Sequence, residues 1–168
     1  MQLFVINPDN LTEEDVRGYA RRIAARGVVL DGDGRVGVLY STTDKYIKLA
    51  GGGVDEGETH EEAFRREIRE ELGCEITHVN ELCVDEERRK EKELLQFSYC
   101  FSARVVGEKG VPSLTETELA RGMEVRWLTP EEAYSDLSTA MKDHKEHLRF
   151  MRTRDAYILK QFQEGNKT

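Results

Sequence analysis

The 168 residues are 35% charged and 38% hydrophobic, with a formal net charge of −8 and a pI near 5.2. A chain of this length buries a real core, and its composition is that of a globular protein, not a disordered one. The acidic balance argues against sequence-independent nucleic-acid binding, which needs Lys and Arg to neutralise phosphates, and no stretch approaches the ~20 apolar residues of a membrane span.

Residues 3–6 predict a short strand ended by Pro8. Asn10 or Thr12 predicts the cap of a short helix through about Tyr19, with Glu13, Glu14 and Asp15 in its first turn. Residues 21–30 end in Gly-Val-Val-Leu and read as a strand, returned by the tight turn Asp31-Gly-Asp-Gly34 into Arg35–Ser41. Asp31 and Asp33 read as turn chemistry, since a calcium loop would continue with further oxygen ligands. Tyr46–Leu49 predicts a strand running into a glycine-rich loop. Thr59 with Glu62 forms a capping box for a helix that runs to about Leu72 and is ended by Gly73.

Residues 74–85 are strand-like. The charge run 86–93 reads as a solvated loop between strands, with Arg88, Arg89 and Lys90 as alternative contacts for substrate phosphates. Leu94–Val106 predicts a long strand turned by residues 107–110, and Met123–Leu128 another, before a helix with Thr129 as cap and Pro130 at its first position. About residues 142–163 an amphipathic helix carries Leu148, Met151, Ile158, Leu159 and Phe162 on one stripe. That stripe is expected to pack on the same domain, with a homodimer interface as the alternative. Without repeat or linker, residues 1–168 read as one domain, with 1–20 as an N-terminal extension.

Cys74, Cys83 and Cys100 are an odd set with no C-x-x-C spacing, which predicts free, mostly buried thiols in a reducing compartment. The first residues lack the basic segment and apolar run of a signal peptide, so a cytoplasmic location is expected. His144 and His147 lie three apart without further zinc ligands and read as surface residues.

The stretch 52–74 carries the chemistry. On a helical wheel Phe64, Ile68 and Leu72 make an apolar arc, and Glu67, Glu70 and Glu71 an acidic arc beside it. Three crowded carboxylates repel one another, and a divalent cation removes that repulsion. Hard oxygen donors in this number suit Mg²⁺ or Mn²⁺, which keep waters and bind substrate phosphates. Glycines 51, 52, 53 and 57 let the backbone approach a ligand closely, and a carbonyl there would add a metal ligand. Arg66 pairs with Glu70 at i,i+4 spacing, or holds Glu58 and locks the loop to the helix. Tyr46, Lys48 and Arg21 lie on or near strands and are candidate substrate contacts. For Tyr46 and Lys48 the competing reading is strand surface or core edge.

With these residues in place the chain resembles the Nudix hydrolases, whose signature is Gly-x5-Glu-x7-Arg-Glu-U-x-Glu-Glu-x-Gly-U, U being a bulky aliphatic. Gly52, Glu58, Arg66, Glu67, Ile68, Glu70, Glu71 and Gly73 match, and Cys74 replaces only the last aliphatic. Leu49-Ala-Gly-Gly-Gly53 and the strand with Trp127 before a helix are also similar to the family, so the likeness covers about residues 20–135. It implies an α/β/α sandwich, a mixed sheet with the box helix on one face. It also implies Mg²⁺- or Mn²⁺-dependent attack of water on the pyrophosphate of a nucleoside diphosphate linked to another moiety, or of a nucleoside triphosphate.

By resemblance Gly52, Glu67, Glu70 and Glu71 hold the metal. Arg66 orients Glu58 and the catalytic glutamates, and Gly73 closes the box. The general base comes from the box, where Glu70 is the candidate, or from a later loop, where Glu116, Glu118 and Glu124 are candidates and the spacing favours Glu118. Dimers are frequent among such proteins. Two other classes remain: a non-catalytic nucleotide sensor, which would have lost box glutamates, and a same-fold isomerase of isoprenoid diphosphates, which would need a cysteine with a partnering glutamate, a context that Cys83 and Cys100 lack. No short motif selects among substrates.

Overall fold

The computed structural model describes residues 2–139 and 146–165. Its strands are β1 (Gln2–Ile6), β2 (Ala20–Leu30), β3 (Val36–Ser41), β4 (Tyr46–Leu49), β5 (Gly51–Gly53), β6 (Glu75–Arg89), β7 (Leu94–Val106) and β8 (Met123–Leu128). The helices are α1 (His60–Leu72), α2 (Glu116–Ala120), α3 (Pro130–Thr139) and α4 (Glu146–Gly165). All the strands join in one sheet, ordered β1-β6-β7-β2-β3-β4, with β5 paired to β2 and β8 to β3. Pairings β1–β6 and β2–β7 are parallel and the rest antiparallel, so the sheet is mixed, as expected.

Alternation along β2 assigns the layers. Ala25 and Val29 pack with Phe64, Ile68 and Leu72 of α1, whereas Val28 and Leu30 pack with Leu137 of α3 and Ile158 and Leu159 of α4. The sheet thus lies between α1 on one face and α3 with α4 on the other. Strand β2 is buried on both sides from Ala24 onward, which is why it reads as an apolar run and not as a polar–apolar alternation. Gly27 has a reason of its own, because a Cβ there would overlap the carbonyl of Phe101 on the neighbouring β7. Helix α1 has the expected ends: the Thr59–Glu62 capping box is formed, and Gly73 closes the helix at φ 67°.

Two expectations fail for physical reasons. Residues 7–19 form turns, not a helix. Asp15 accepts from both the N–H and the hydroxyl of Thr12, and Asn7 exchanges hydrogen bonds with Leu11. Thr12 does cap as expected, since the Asp15 N–H returns to its hydroxyl and the Val16 N–H reaches the Thr12 carbonyl at 3.3 Å, but the next bonds, from Arg17 to Glu14 and from Tyr19 to Val16, span only three residues, so the segment stays a run of turns. The charge run is not a solvated loop either. Strand β6 continues to Arg89, flanked by β1 and β7, and only Lys90–Lys92 forms a single 3₁₀ turn. The N-terminal extension, with the short strand expected in it, is tied into the sheet. Strand β1 closes the sheet edge against β6, and Phe4 stacks on Tyr157 of α4 with ring centroids 3.9 Å apart.

The charged end of β6 alternates between two buried settings. Arg88 bonds Glu86, the carbonyl of Leu11 and Glu13, so the 7–19 segment covers it. On the α4 face Glu87 accepts from Arg154 (2.9 Å), Arg89 (2.6 Å) and Gln96 (3.2 Å). Arg154 also donates to Asp155, whose second oxygen accepts the N–H of Leu49 at 2.8 Å. Arg88 and Arg89 are therefore committed within the fold and do not reach for phosphates.

Two atoms of this polar layer, Arg26 Nε and Asp85 Oδ2, have no partner among the described residues. Burial pushes Asp85 up to about 7 despite Arg154 nearby, and burial, reinforced by Arg154, pushes Arg26 down. Burial opposes the charge on Arg154, but Asp155, Glu87 and Asp85 outweigh it and hold the guanidinium ionised.

The stripe on α4 packs into this same domain. Leu148, Met151, Ile158 and Leu159 are buried, and Phe162 is partly buried against the core. Residues 142–145 of the expected helix, with His144, lie outside the described residues, and His147 is exposed. All three cysteines are free and buried.

An aspartate whose folded pKa stands above its ordinary 3.8 takes up a proton on folding between the two values. Its burial therefore costs stability above about pH 7, and that cost fades as pH falls. Asp85→Asn is expected to raise the melting temperature at pH 8 by roughly 2–6 °C, with the gain closing toward pH 5. Thermal melts at both pH values decide this, and a pH-independent shift, or a loss at pH 8, would refute the reading of Asp85.

Candidate active site

The site begins at the bend between β4 and β5. Strand β4 pairs with β3, and after Ala50 the chain crosses to pair with β2, aligning Ala24, Ala25 and Arg26 with Gly53, Gly52 and Gly51. Gly51 takes φ 140°, and a Cβ there would overlap the backbone of Ala25 and Arg26. At Gly52 a Cβ would overlap the carboxylate of Glu67. Bare backbone on β5 thus lets the carboxylates of α1 press directly against it.

Glu71 is the most enclosed of them. Its Oε2 accepts the N–H of Gly51 and its Oε1 accepts from Lys48 Nζ, both at 2.6 Å. The Lys48 ammonium also lies 3.8 Å from Glu118 Oε1. Burial raises the Glu71 carboxyl to about 7, with Lys48 and the Gly51 N–H opposing it and Glu118 adding to the rise. Burial also pulls Glu118 upward. Its bonds to Glu71 and to the N–H and hydroxyl of Thr115 outweigh that and leave it below the ordinary carboxylate range.

Arg66 organises the other side. It grips both oxygens of Glu58 at 2.9 Å, donates to the carbonyl of Gly53 at 2.8 Å, and reaches Glu67 at 2.7 Å and Glu70 at 3.4 Å. The bond to Glu58 is the main reason that Arg66 is held firmly in its charged form. Glu67 is raised by burial against the pull of Arg66.

The acidic arc is therefore divided. The side chains of Glu67, Glu70 and Glu71 are 13%, 47% and 3% exposed, with Arg66 paired to the first two and Lys48 to the third. Among the described residues no three His, Cys, Asp or Glu side chains converge as a ready-made metal cluster. The donor chemistry nevertheless fits Mg²⁺ or Mn²⁺. Glu67 and Glu71 meet the peptide groups of a glycine strand, the Gly52 position is kept open for a carboxylate, and an ammonium already stands on Glu71 as a cation.

The structure brings Gly52, Glu58, Arg66, Glu67, Glu71, Lys48 and Glu118 together and leaves Glu70 at the rim. Tyr46 is not a pocket residue. It is buried among Leu39, Met123, Leu148 and Met151, which overturns its reading as a substrate contact. Arg21 is exposed at the start of β2, three residues before the part paired with β5, and no hydrogen bond or ion pair ties it to the box. Of the other late glutamates, Glu124 pairs with Arg126 and Glu116 is exposed at the start of α2.

Two features escaped the sequence reading. Helix α2 presents Glu118, and its signal was available in Thr115-Glu-Thr-Glu118, a second capping box. Asp155 anchors the N–H of Leu49 just before the bend. Nothing in the sequence links those two positions, which only the packing of α4 brings together.

Comparisons with known proteins bear on the family and the fold. The family model described as NUDIX domain matches residues 20–152. A nucleoside triphosphatase NudI from Enterobacter sp. (strain 638) is 70% identical over 33 residues, covering 18% of this chain and 23% of that protein, so the aligned part spans less than a quarter of that relative. A NUDIX hydrolase from Nitrosomonas europaea shares the fold with a TM-score of 0.66 at 14% identity, covering 87% of this chain and 90% of its own. A MutT NUDIX hydrolase from Burkholderia pseudomallei does so with a TM-score of 0.57 at 22% identity, covering 80% and 97%.

A side chain at Gly52 displaces the end of the flexible Glu67 side chain and leaves the backbone of β5 in place. Gly52→Ala is expected to keep its circular dichroism spectrum and to melt within a few degrees of the wild type, while Mn²⁺ affinity falls at least about tenfold. Titration of the free Mn²⁺ signal by electron paramagnetic resonance measures this, and unchanged affinity would show that Glu67 does not need the glycine strand.

Proposed function

The chain belongs to the Nudix family, and on that premise we propose that it is a divalent-metal-dependent pyrophosphohydrolase. Its substrate is a nucleoside triphosphate or a nucleoside diphosphate linked to another moiety. The observation that carries this reading is the clasp of Glu67 and Glu71 onto β5, with Arg66 tying Glu58, Gly53 and Glu67 into one unit. The name of the NudI relative, a nucleoside triphosphatase, points to the triphosphate branch.

In this reading Glu67, Glu71 and the Gly52 carbonyl, with Glu70, would hold the cation, which would supply neutralisation of charge on the phosphate oxygens. The chain's own groups do the rest. Arg66 keeps Glu58 and Glu67 fixed, so the carboxylates need no reorganisation when charge develops. Glu118 accepts a proton from the attacking water as the water oxygen bonds to phosphorus and the bridging P–O bond breaks. Its place beside Glu71 and Lys48 supports this role, with Oε1 3.8 Å from the Lys48 ammonium and the backbone of Thr115 holding its other oxygen. Arg21, exposed beyond the glycine strand, is kept as a contact for a distal part of the substrate.

A screen of nucleoside triphosphates and nucleoside diphosphate derivatives with Mg²⁺ and with Mn²⁺ tests the proposal. Phosphate, pyrophosphate and nucleotide release are scored, with Glu67→Gln as control. Metal-dependent release from one class is expected, reduced at least about 100-fold in the variant. If nucleotides bind tightly and nothing is released, the chain is a sensor and the hydrolase reading falls.

A further inference from the structure

Lys48 is placed where a divalent ion would compete with it. Its ammonium makes a 2.6 Å bond to Glu71 and lies 3.8 Å from Glu118, while the other oxygen of Glu71 is taken by Gly51. Each oxygen of a nearly fully enclosed carboxylate thus already accepts a protein donor. Two cations on one buried carboxylate repel strongly, because the enclosed setting screens them little. The lysine therefore either weakens the metal or gives way. A four-carbon stem ending in a point charge is suited to giving way, whereas the guanidinium of Arg66, held at several points at once, is not.

Resting on the hydrolase reading above, we propose that Lys48 is an internal counter-cation that couples metal binding to substrate binding. Without substrate it sits on Glu71 and holds divalent-ion affinity down. When a pyrophosphate linkage arrives, the ammonium transfers from Glu71 to a phosphoryl oxygen and leaves Glu71 to the metal. The chain thereby assembles its charged centre only when the polyanion is present. Linkage makes the effect reciprocal, so the metal also tightens binding of the pyrophosphate. Lys48 is in this sense a positioning residue for the metal and a specificity residue for the anion.

The test uses Lys48→Met and Lys48→Arg in the full chain. Mn²⁺ binding is titrated by electron paramagnetic resonance without substrate, and thermal melts are recorded with and without Mn²⁺. Lys48→Met is expected to bind Mn²⁺ at least tenfold more tightly than the wild type. It should also melt lower without metal, since Glu71 loses its partner, and gain more from added Mn²⁺. Lys48→Arg keeps the charge and should bind Mn²⁺ no more tightly than the wild type. In turnover of whichever substrate the screen identifies, Lys48→Met should need less metal for half-activation and show a raised KM. If Lys48→Met is folded and binds Mn²⁺ no tighter than the wild type, the coupling is overturned and the hydrolase reading stands. If neither protein binds Mn²⁺ at millimolar concentration and no substrate turns over, both fall together.

Discussion

The structure hinges on contact between the carboxylates of α1 and a strand that has no side chains to keep them away. Gly51 and Gly52 bring the backbone close enough for the Gly51 N–H to bond Glu71 and for Glu67 to lie flat on the strand. The rest of the site follows from that closeness. Enclosed carboxylates need partners, since a lone buried charge is costly, and Lys48 and Arg66 provide them. The capping box fixes where α1 begins and Gly73 where it ends, so the spacing of the glutamates along the helix is set by local rules. Their depth is set by β5.

The opposite face of the sheet carries a second concentration of charge with a different character. Arg26, Asp85, Glu87, Arg89, Arg154 and Asp155 are buried between the sheet and α4, alongside apolar residues such as Ile158 and Leu159. Such layers seldom add net stability over apolar packing, because desolvation consumes most of the attraction. What this one supplies is registration. Glu87 is held from β6, β7 and α4 at once, and Asp155 reaches from α4 to the N–H of Leu49 immediately before the bend into β5. The helix outside most of the family match thus helps set the strand that carries the site.

The legible parts of the sequence were those governed by short-range rules. The box helix, its caps, the Asp31–Gly34 turn and the strands around it are set by residues within a few positions of one another. Arg66 holding Glu58 was one of two pairings the sequence offered, and both contacts form. The charge run 86–93 was misread because composition reports hydrophilicity and not the presence of partners. Glu87 is buried because Arg154 lies 67 residues further on, a distance at which sequence carries no pairing signal. Tyr46 failed in the opposite sense, as an aromatic with a polar tip that the long-range packing of Leu148 and Met151 claims for the core. The segment after Thr12 starts as a helix would, with its cap formed, and then tightens into three-residue turns before Ala20 joins β2.

The parallel pairing of β1 with β6 has a consequence for how the molecule assembles. Gln2 faces Cys83 and Ile6 faces Glu87, so the strand is separated from its partner by about eighty residues of chain, and the entropy of closing that loop must be met before the contact returns anything. Strand β6, meanwhile, carries its backbone donors and acceptors along one open side until β1 arrives. The β6–β7 hairpin is the natural early unit, since its strands are joined by a single short turn. If β1, whose Phe4 stacks on Tyr157, docks after that hairpin has formed, β6 presents an open edge in the interval. In that interval the half-built sheet has an adhesive edge, and the order in which distant segments meet governs whether the chain closes on itself or on a neighbour.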